Sequence, residues 1–105
     1  METFIKRLRR FRDARDWKKF HTPENLAKSV AIEASELLEN YQWPNREPDM
    51  DNVKEEIADV VTYCLMLTDH YGFDIHRLLE EKMDKNEEKY PVDKAFGKAD
   101  KYNEL

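Results

Sequence analysis

Residues 53–67, VKEEIADVVTYCLML, decide the fold class of this 105-residue chain. At about 100° per residue, the apolar side chains of this stretch fill an arc of roughly 160° on a helical wheel. An arc of this width exceeds the surface that one neighbouring helix covers. The stretch therefore predicts a central helix that contacts its own chain and a second protomer. The arc consists of Val53, Ile57, Val60, Val61, Cys64, Leu65 and Leu67.

Three further helices are predicted around this central one. The chain has only two glycines and no pronounced alternation of apolar and polar residues, so little favours a sheet. We expect helices over about residues 2–16, 22–42, 52–71 and 75–90, followed by a C-terminal tail over residues 91–105. The expected fold is all-α, of the four-helix-bundle type, as a single domain over residues 1–105 whose helices pack with a partner protomer.

Helix caps and helix breakers set these predicted boundaries. A side-chain oxygen at the N-cap satisfies backbone N–H groups that have no partner within the helix, and glycine or proline ends a helix. The segment WPNREPDMDN, residues 43–52, holds two prolines and is the one obvious loop. The predicted boundary residues are Thr22 with Pro23 for the second helix, Asp51 or Asn52 and then Gly72 for the third, and Asp74 and Pro91 for the fourth.

Charge, cysteine content and hydropathy indicate whether the chain is a nucleic-acid-binding, a disulfide-bonded or a membrane protein. The formal net charge is -5, yet residues 6–19 hold eight Lys or Arg against two Asp. Phe4, Leu8 and Phe11 recur there at helical spacing, so we interpret this segment as an amphipathic helix with a solvated basic face, and consider binding to nucleic acid unlikely. A single cysteine excludes a disulfide within the chain. No segment is apolar enough to span a bilayer, and we expect a cytoplasmic protein.

Two pairs of acidic residues border the predicted apolar faces. Glu33 and Glu36 lie three apart on the second helix, and Glu56 and Asp59 lie three apart on the third. Residues three apart share a helix face, so antiparallel packing of the two helices would gather four carboxylates in a small volume. Their mutual repulsion would destabilise the fold unless a cation offsets it. Ligands that are all oxygen favour Mg²⁺ or Mn²⁺ over zinc.

Acidic residues at this spacing have two other interpretations. Acids at three-residue spacing are common on solvated helices, and this applies to Glu39 and Glu55. A di-iron carboxylate bundle requires a Glu followed by a His three residues later. None of His21, His70 or His76 has an acid three residues before it, which argues against that class.

The pattern ExxE, about twenty residues, then ExxD resembles the signature of the all-α nucleoside triphosphate pyrophosphohydrolases, the MazG-like superfamily. Further segments resemble its dCTP pyrophosphatase branch over nearly the whole chain. One departure is Ile32, where many relatives have Gly, and another is the basic first helix. The segments are RDWKKFHTPENL (15–26), YQW (41–43), EEIADVVTY (55–63), KMDKNEEKYPV (82–92) and KYNEL (101–105).

The resemblance implies an activity and a set of site residues. The expected reaction is Mg²⁺-dependent hydrolysis of dCTP or a modified dCTP to the monophosphate and pyrophosphate, with Mn²⁺ as a substitute metal. The motif acids Glu33, Glu36, Glu56 and Asp59 would be the catalytic metal ligands, and the assembly would be a homotetramer, as a dimer of dimers, or a homodimer. The implied substrate-binding residues are Trp17, His21 and Trp43 for the base, Tyr63 for a phosphate, and Lys82, Asn86, Lys89 and Tyr90 for the phosphate and sugar side.

Two alternative functions stay open at this stage. The first keeps the chemistry and changes the substrate to dUTP or another noncanonical nucleotide. The second, from another class, is a non-catalytic helical adaptor whose basic first helix binds nucleic acid. Acids at all four motif positions argue against the adaptor, because a binding module gains nothing from their repulsion.

Overall fold

The computed structural model describes residues 1–104, and no residue in that range forms a strand. The predicted all-α class is confirmed. Leu105, the last residue of the predicted tail, lies outside the described residues. The helices are α1 Glu2–Ala14, α2 Pro23–Glu39, α3 Met50–Tyr71, α4 Ile75–Lys89 and α5 Val92–Ala95, with short 3₁₀ turns at Lys18–Phe20 and Tyr102–Glu104.

The chain forms two compact units, Met1–Phe73 with α1 to α3 and Asp74 to the C terminus with α4 and α5. In the first unit, α2 and α3 pack along each other, and α1 lies against α3. The end of α2 is bonded to the start of α3, because Asn40 Nδ2 donates to Asn52 Oδ1 at 2.8 Å. The start of α2 and the end of α3 likewise line one cavity. The two helices therefore form an antiparallel hairpin.

Cap residues were predicted at four helix ends, and three of these predictions agree with the structure. Thr22 Oγ1 accepts a hydrogen bond from Asn25 N at 3.2 Å, with Pro23 at the first helical position, as predicted. Gly72 ends α3 in the left-handed conformation at φ 71°, which glycine adopts without steric cost. Asp74 caps α4 through the backbone N–H groups of its first turn.

The predicted N-cap of α3 was wrong by two or three residues. Asp49, rather than Asp51 or Asn52, is the cap, and its Oδ1 accepts from the backbone nitrogens of both those residues at 3.1 and 3.2 Å. Asp49 directly follows Pro48, and a proline disfavours the helical conformation of the residue before it, so the helix does not start earlier than this point. An acid at that position can bond the first orphaned N–H groups, so the helix starts there.

Helix α1 is held against α3 by part of its basic face. Arg9 Nε donates to both carboxylate oxygens of Asp69 at 3.1 and 3.0 Å, and Arg12 Nη1 lies 3.9 Å from the same carboxylate. The hydrogen bond and the charge of Arg9 hold the pKa of Asp69 below its ordinary value, and the charge of Arg12 adds to this. Part of the basic segment thus serves the fold, in agreement with its interpretation as an amphipathic helix.

The wide apolar arc of α3 is only partly covered in the protomer. Val53 and Leu65 are buried at 8% and 2% exposure, with Leu26 of α2 at 2%. Ile57 and Val61, on the same arc, are exposed at 48% and 45%. The surface that one chain leaves exposed is the one for which a second protomer was predicted. None of the described helices combines the length and apolar character that a bilayer span requires.

Candidate metal centre

The antiparallel hairpin brings three of the four motif acids together. Glu33 comes from α2, and Glu56 and Asp59 come from neighbouring turns of α3. One carboxylate oxygen of each lies within 4.8 Å of the other two. Glu56 is buried at 8% exposure, Glu33 is half-buried and Asp59 is exposed. The group therefore has a closed side in the protein and an open side toward solvent, where a ligand can enter.

Two oxygens of this group have no hydrogen-bond partner. Glu33 Oε2 and Glu56 Oε2 are both buried, and none of the described residues donates to them. When both carboxylates are ionised, neither can supply a proton to the other. A proton on Glu33 creates a carboxyl-to-carboxylate hydrogen bond with Glu56, and this bond, with burial and the neighbouring Glu36 and Asp59, raises the pKa of Glu33 to about 7. These two oxygens therefore require a proton or a cation as an interaction partner.

The donor set fits a hard divalent cation. All three groups are carboxylates, which Mg²⁺ and Mn²⁺ prefer, and they come from rigid helices with water access on one side. Orphaned buried oxygens in a cluster of anions are costly without such an ion. The residues present therefore fit the magnesium site that the spacing predicts.

The fourth acid, Glu36, lies beside this group. When Glu33 carries a proton, hydrogen bonding with the Glu36 carboxylate favours that form, and the negative charge of Glu36 favours it too, so both raise the pKa of Glu33. Tyr63 also lies in the field of these acids. Burial, followed by the negative charges of Glu33, Asp59 and Glu36, raises the pKa of Tyr63. The Tyr63 hydroxyl thus keeps its proton and can act as a hydrogen-bond donor at the edge of the acids.

A cavity of about 400 Å³ adjoins the acids. It lies between the end of α2, the following loop and the start of α3, and Glu36 lines it. Trp43, one of the predicted base-binding residues, also lines it and is exposed at 58%. A nucleotide held at the acids could place its base against this ring. The lining residues are Glu36, Glu39, Asn40, Gln42, Trp43, Arg46, Glu47, Asp49 and Asn52.

The other two predicted base-binding residues lie elsewhere in the protomer. His21 lines a different cavity, of about 580 Å³, together with Arg9, Arg12 and Lys18. Burial, and then the charge of Arg12, lowers the pKa of His21, and its Nδ1 is buried without a partner among the described residues.

Trp17 packs edge-on against Phe11, with ring centroids 5.6 Å apart. Trp17 as a whole is exposed at 42%. Trp43 and His21 line different cavities of the protomer, and Trp17 lines neither of these two. Their joint role in binding a base stays a prediction.

The predicted residues of the fourth helix belong to the second compact unit. Lys82, Asn86 and Lys89 lie on α4, and Tyr90 is its C-terminal cap residue. Asn86 is half-buried and Lys82 is exposed. The backbone nitrogen of Tyr90 donates to Asn86 O at 2.9 Å as the last bond of the helix. Pro91 has no N–H to continue it, and α4 ends before Pro91 as predicted. The roles of these four residues in binding phosphate or sugar stay predictions.

The cavity contains two polar residues that the sequence did not single out. Asn40 and Asn52 are bonded to each other at 2.8 Å and both are half-buried. They lie twelve positions apart, so no helical or strand periodicity connects them. The available signal was the position of the two amides. One immediately follows the last residue of α2, and the other lies in the first turn of α3.

Known proteins resemble this chain in sequence and in structure. The model of the MazG-like family matches residues 28–105. The dCTP pyrophosphatase 1 of Rattus norvegicus is 36% identical over 104 residues, covering 90% of this chain and 61% of the relative. That of Homo sapiens is 34% identical, with 90% and 61% covered. The chain thus spans about three fifths of the length of these curated relatives.

A solved structure extends the likeness to three dimensions. A pyrophosphatase from Archaeoglobus fulgidus is 46% identical and superposes with a TM-score of 0.77, covering 87% of this chain and 92% of that one. The family match includes all four acids of the hairpin. The sequence resemblance is confirmed, and this chain belongs to the MazG-like family.

Proposed function

We propose that this protein hydrolyses dCTP or a modified dCTP to the nucleoside monophosphate and pyrophosphate, removing it from the nucleotide pool. The observation that carries the proposal is the convergence of Glu33, Glu56 and Asp59 within 4.8 Å, with two buried oxygens left without donors. The relatives named dCTP pyrophosphatase support the substrate, and the Archaeoglobus fulgidus pyrophosphatase supports the reaction class. The same chemistry on dUTP or another noncanonical nucleotide is the alternative.

The acids Glu33, Glu36, Glu56 and Asp59 would hold Mg²⁺, with Mn²⁺ as a substitute. When bound, the metal would offset the charge of the triphosphate and activate a water for attack at the α-phosphorus. The contribution of the chain is to fix the ligands. Glu56 is buried on a rigid helix, so its carboxylate has few alternative positions and loses little entropy when a ligand arrives.

Two aromatic residues of the first unit would bind the nucleotide. The Tyr63 hydroxyl, which keeps its proton beside the acids, would donate to a phosphate oxygen. Trp43 is an exposed residue that lines the adjoining cavity, and its ring would stack on the base. We propose that Lys82, Asn86, Lys89 and Tyr90 serve the phosphate and sugar, and that Trp17 and His21 complete the base pocket from a neighbouring subunit.

The proposed assembly is a homodimer or a homotetramer built as a pair of dimers. Large apolar side chains are exposed on α2 and α3: Ile32 at 56%, Leu38 at 68%, Ile57 at 48% and Val61 at 45%. Exposed apolar surface at this density supports an interface between copies of the chain. We also propose a cytoplasmic location, because the single cysteine suits a reducing compartment.

The proposal is tested by measuring pyrophosphate release from a panel of nucleoside triphosphates with and without Mg²⁺. Glu56→Gln should lose turnover by about two orders of magnitude or more, because a metal ligand is lost while the shape is kept. Glu55→Gln is the matched control, since Glu55 is the exposed neighbour on the same helix and should retain activity. Release of orthophosphate, or turnover without a divalent metal, would contradict the proposal.

A further inference from the structure

The bonded pair Asn40 and Asn52 has a fixed orientation. Asn40 Nδ2 donates to Asn52 Oδ1 at 2.8 Å and to the carbonyl oxygen of Leu37 at 3.3 Å. A backbone carbonyl can only accept, so the amide nitrogen of Asn40 must point toward Leu37, and this excludes the flipped amide. Asn52 must then present its oxygen to Asn40. Both hydrogens of Asn40 Nδ2 and the oxygen of Asn52 are therefore used.

Each amide keeps one polar group for a ligand. Asn40 Oδ1 is an acceptor and Asn52 Nδ2 is a donor, and the hydrogen bonds among the described residues use neither. Neither atom is among the fully buried side-chain atoms that lack a partner, so each keeps some contact with solvent. The two residues line the cavity that also holds Glu36 and Trp43. The cavity thus offers an acceptor and a donor of known identity beside the metal centre.

The charge of the cavity indicates which part of a nucleotide it takes. Its lining includes four carboxylates, Glu36, Glu39, Glu47 and Asp49, against one guanidinium, Arg46, which gives a net charge of -3. A phosphate without a metal is repelled from such a lining. The neutral base is favoured there, and its face can stack on Trp43 while its polar edge meets the amides.

We propose that Asn40 and Asn52 select the base, and that they favour one with an amino group beside an unprotonated ring nitrogen. Cytosine has this pattern: its exocyclic amino group donates to Asn40 Oδ1, and its N3 accepts from Asn52 Nδ2. Uracil has a carbonyl and an N–H at the same two positions. Its carbonyl would face another acceptor, Asn40 Oδ1, and its N–H would face another donor, Asn52 Nδ2. The inference rests on the proposed function and adds the residues that set its substrate preference.

The test is Asn52→Asp, which replaces the donor Asn52 Nδ2 with an oxygen acceptor and keeps the hydrogen bond from Asn40 Nδ2. An Asp oxygen still accepts from Asn40 Nδ2, and a negative charge in the first turn of α3 suits the helix dipole, so the fold is preserved. The ratio of kcat/KM for dCTP to that for dUTP should fall by about tenfold or more, the equivalent of one lost hydrogen bond. Asn52→Ala, which removes the donor without adding charge, should lower the ratio in the same direction.

Gln42→Glu is the matched charge control. It adds the same charge to the same cavity without touching the amide pair, and should change kcat/KM for both nucleotides alike. The inference would be overturned by an unchanged dCTP-to-dUTP ratio in both Asn52 variants. It would also be overturned if Gln42→Glu lowered that ratio as much as Asn52→Asp does. These outcomes are distinct from a failure of the proposed function, in which the unmodified protein would release pyrophosphate from none of the nucleotides.

Discussion

Glu33→Gln should make the metal-free protein more stable at pH 8 while removing its response to Mg²⁺. Gln has the size of Glu and can donate from its amide to the orphaned oxygen of Glu56. It also removes one of three carboxylates whose oxygens lie within 4.8 Å of one another. The substitution therefore exchanges a repulsive contact for a hydrogen bond.

The magnitude follows from the pKa of Glu33, which lies at about 7 instead of its ordinary value of 4.5. That separation corresponds to about 3 kcal/mol of lost folding free energy at pH values well above 7. Glu33 is only half-buried and Asp59 is exposed, so screening by water reduces the expected gain of the variant to about 1–2 kcal/mol. Because the pKa of Glu33 is higher in the folded than in the unfolded state, the unmodified protein has its full stability at low pH. It loses the stated free energy of unfolding as pH rises from about 4.5 through 7.

The assay is urea unfolding in EDTA at pH 5 and pH 8, followed by thermal melting with added Mg²⁺. The advantage of Glu33→Gln over the unmodified protein should be small at pH 5 and full at pH 8. Magnesium should raise the Tm of the unmodified protein and leave that of the variant nearly unchanged. Glu55→Gln should match the unmodified protein in both experiments. A variant that is less stable at pH 8, or equally advantaged at both pH values, would refute the reasoning.

Two further predictions concern the helix contacts. Asp69→Asn should lower the Tm at pH 7, because the hydrogen bond from Arg9 lowers the pKa of Asp69 and so stabilises the folded state. This stabilisation is present above the ordinary pKa of 3.8 and is lost as pH falls below it. The Tm difference should therefore shrink at pH 3. A Tm difference that persists at pH 3 would show that the ion pair is not its source. Val61→Lys should shift the protein toward monomer in sedimentation velocity, because Val61 and Ile57 form exposed apolar surface on α3 and a buried ammonium would be costly there. An unchanged sedimentation coefficient would place the interface elsewhere.

The helices could be predicted from sequence because their boundaries depend on local chemistry. Thr22 with Pro23, Gly72 and Asp74 act within one turn of their own position, and all three boundaries agree with the structure. The prediction of the start of α3 was wrong because Asp49 and Asp51 are the same residue type, and either one can cap a helix. Only the backbone path after Pro48 distinguishes them.

The acid cluster was predictable for a different reason. Residues three apart lie on the same face of a helix, and a short loop between two amphipathic helices favours antiparallel packing. The proximity of Glu33, Glu56 and Asp59 could therefore be predicted from the sequence. The bond between Asn40 and Asn52 could not be predicted in this way. It depends on how far the two helices slide along each other, which is decided by side-chain packing across the hairpin rather than by any period in the sequence.

All four motif acids lie on one hairpin, and its geometry limits which changes in chain length the protein can accept. Residues added within the loop after Asn40 need not move the acids, because the bonded amides and the packed helices still fix the register. One residue inserted between Glu33 and Glu36 would turn the second acid by about 100° around α2 and separate the pair. Insertions and deletions among homologous chains should therefore concentrate in the connecting loop, while the stretches between paired acids keep constant length.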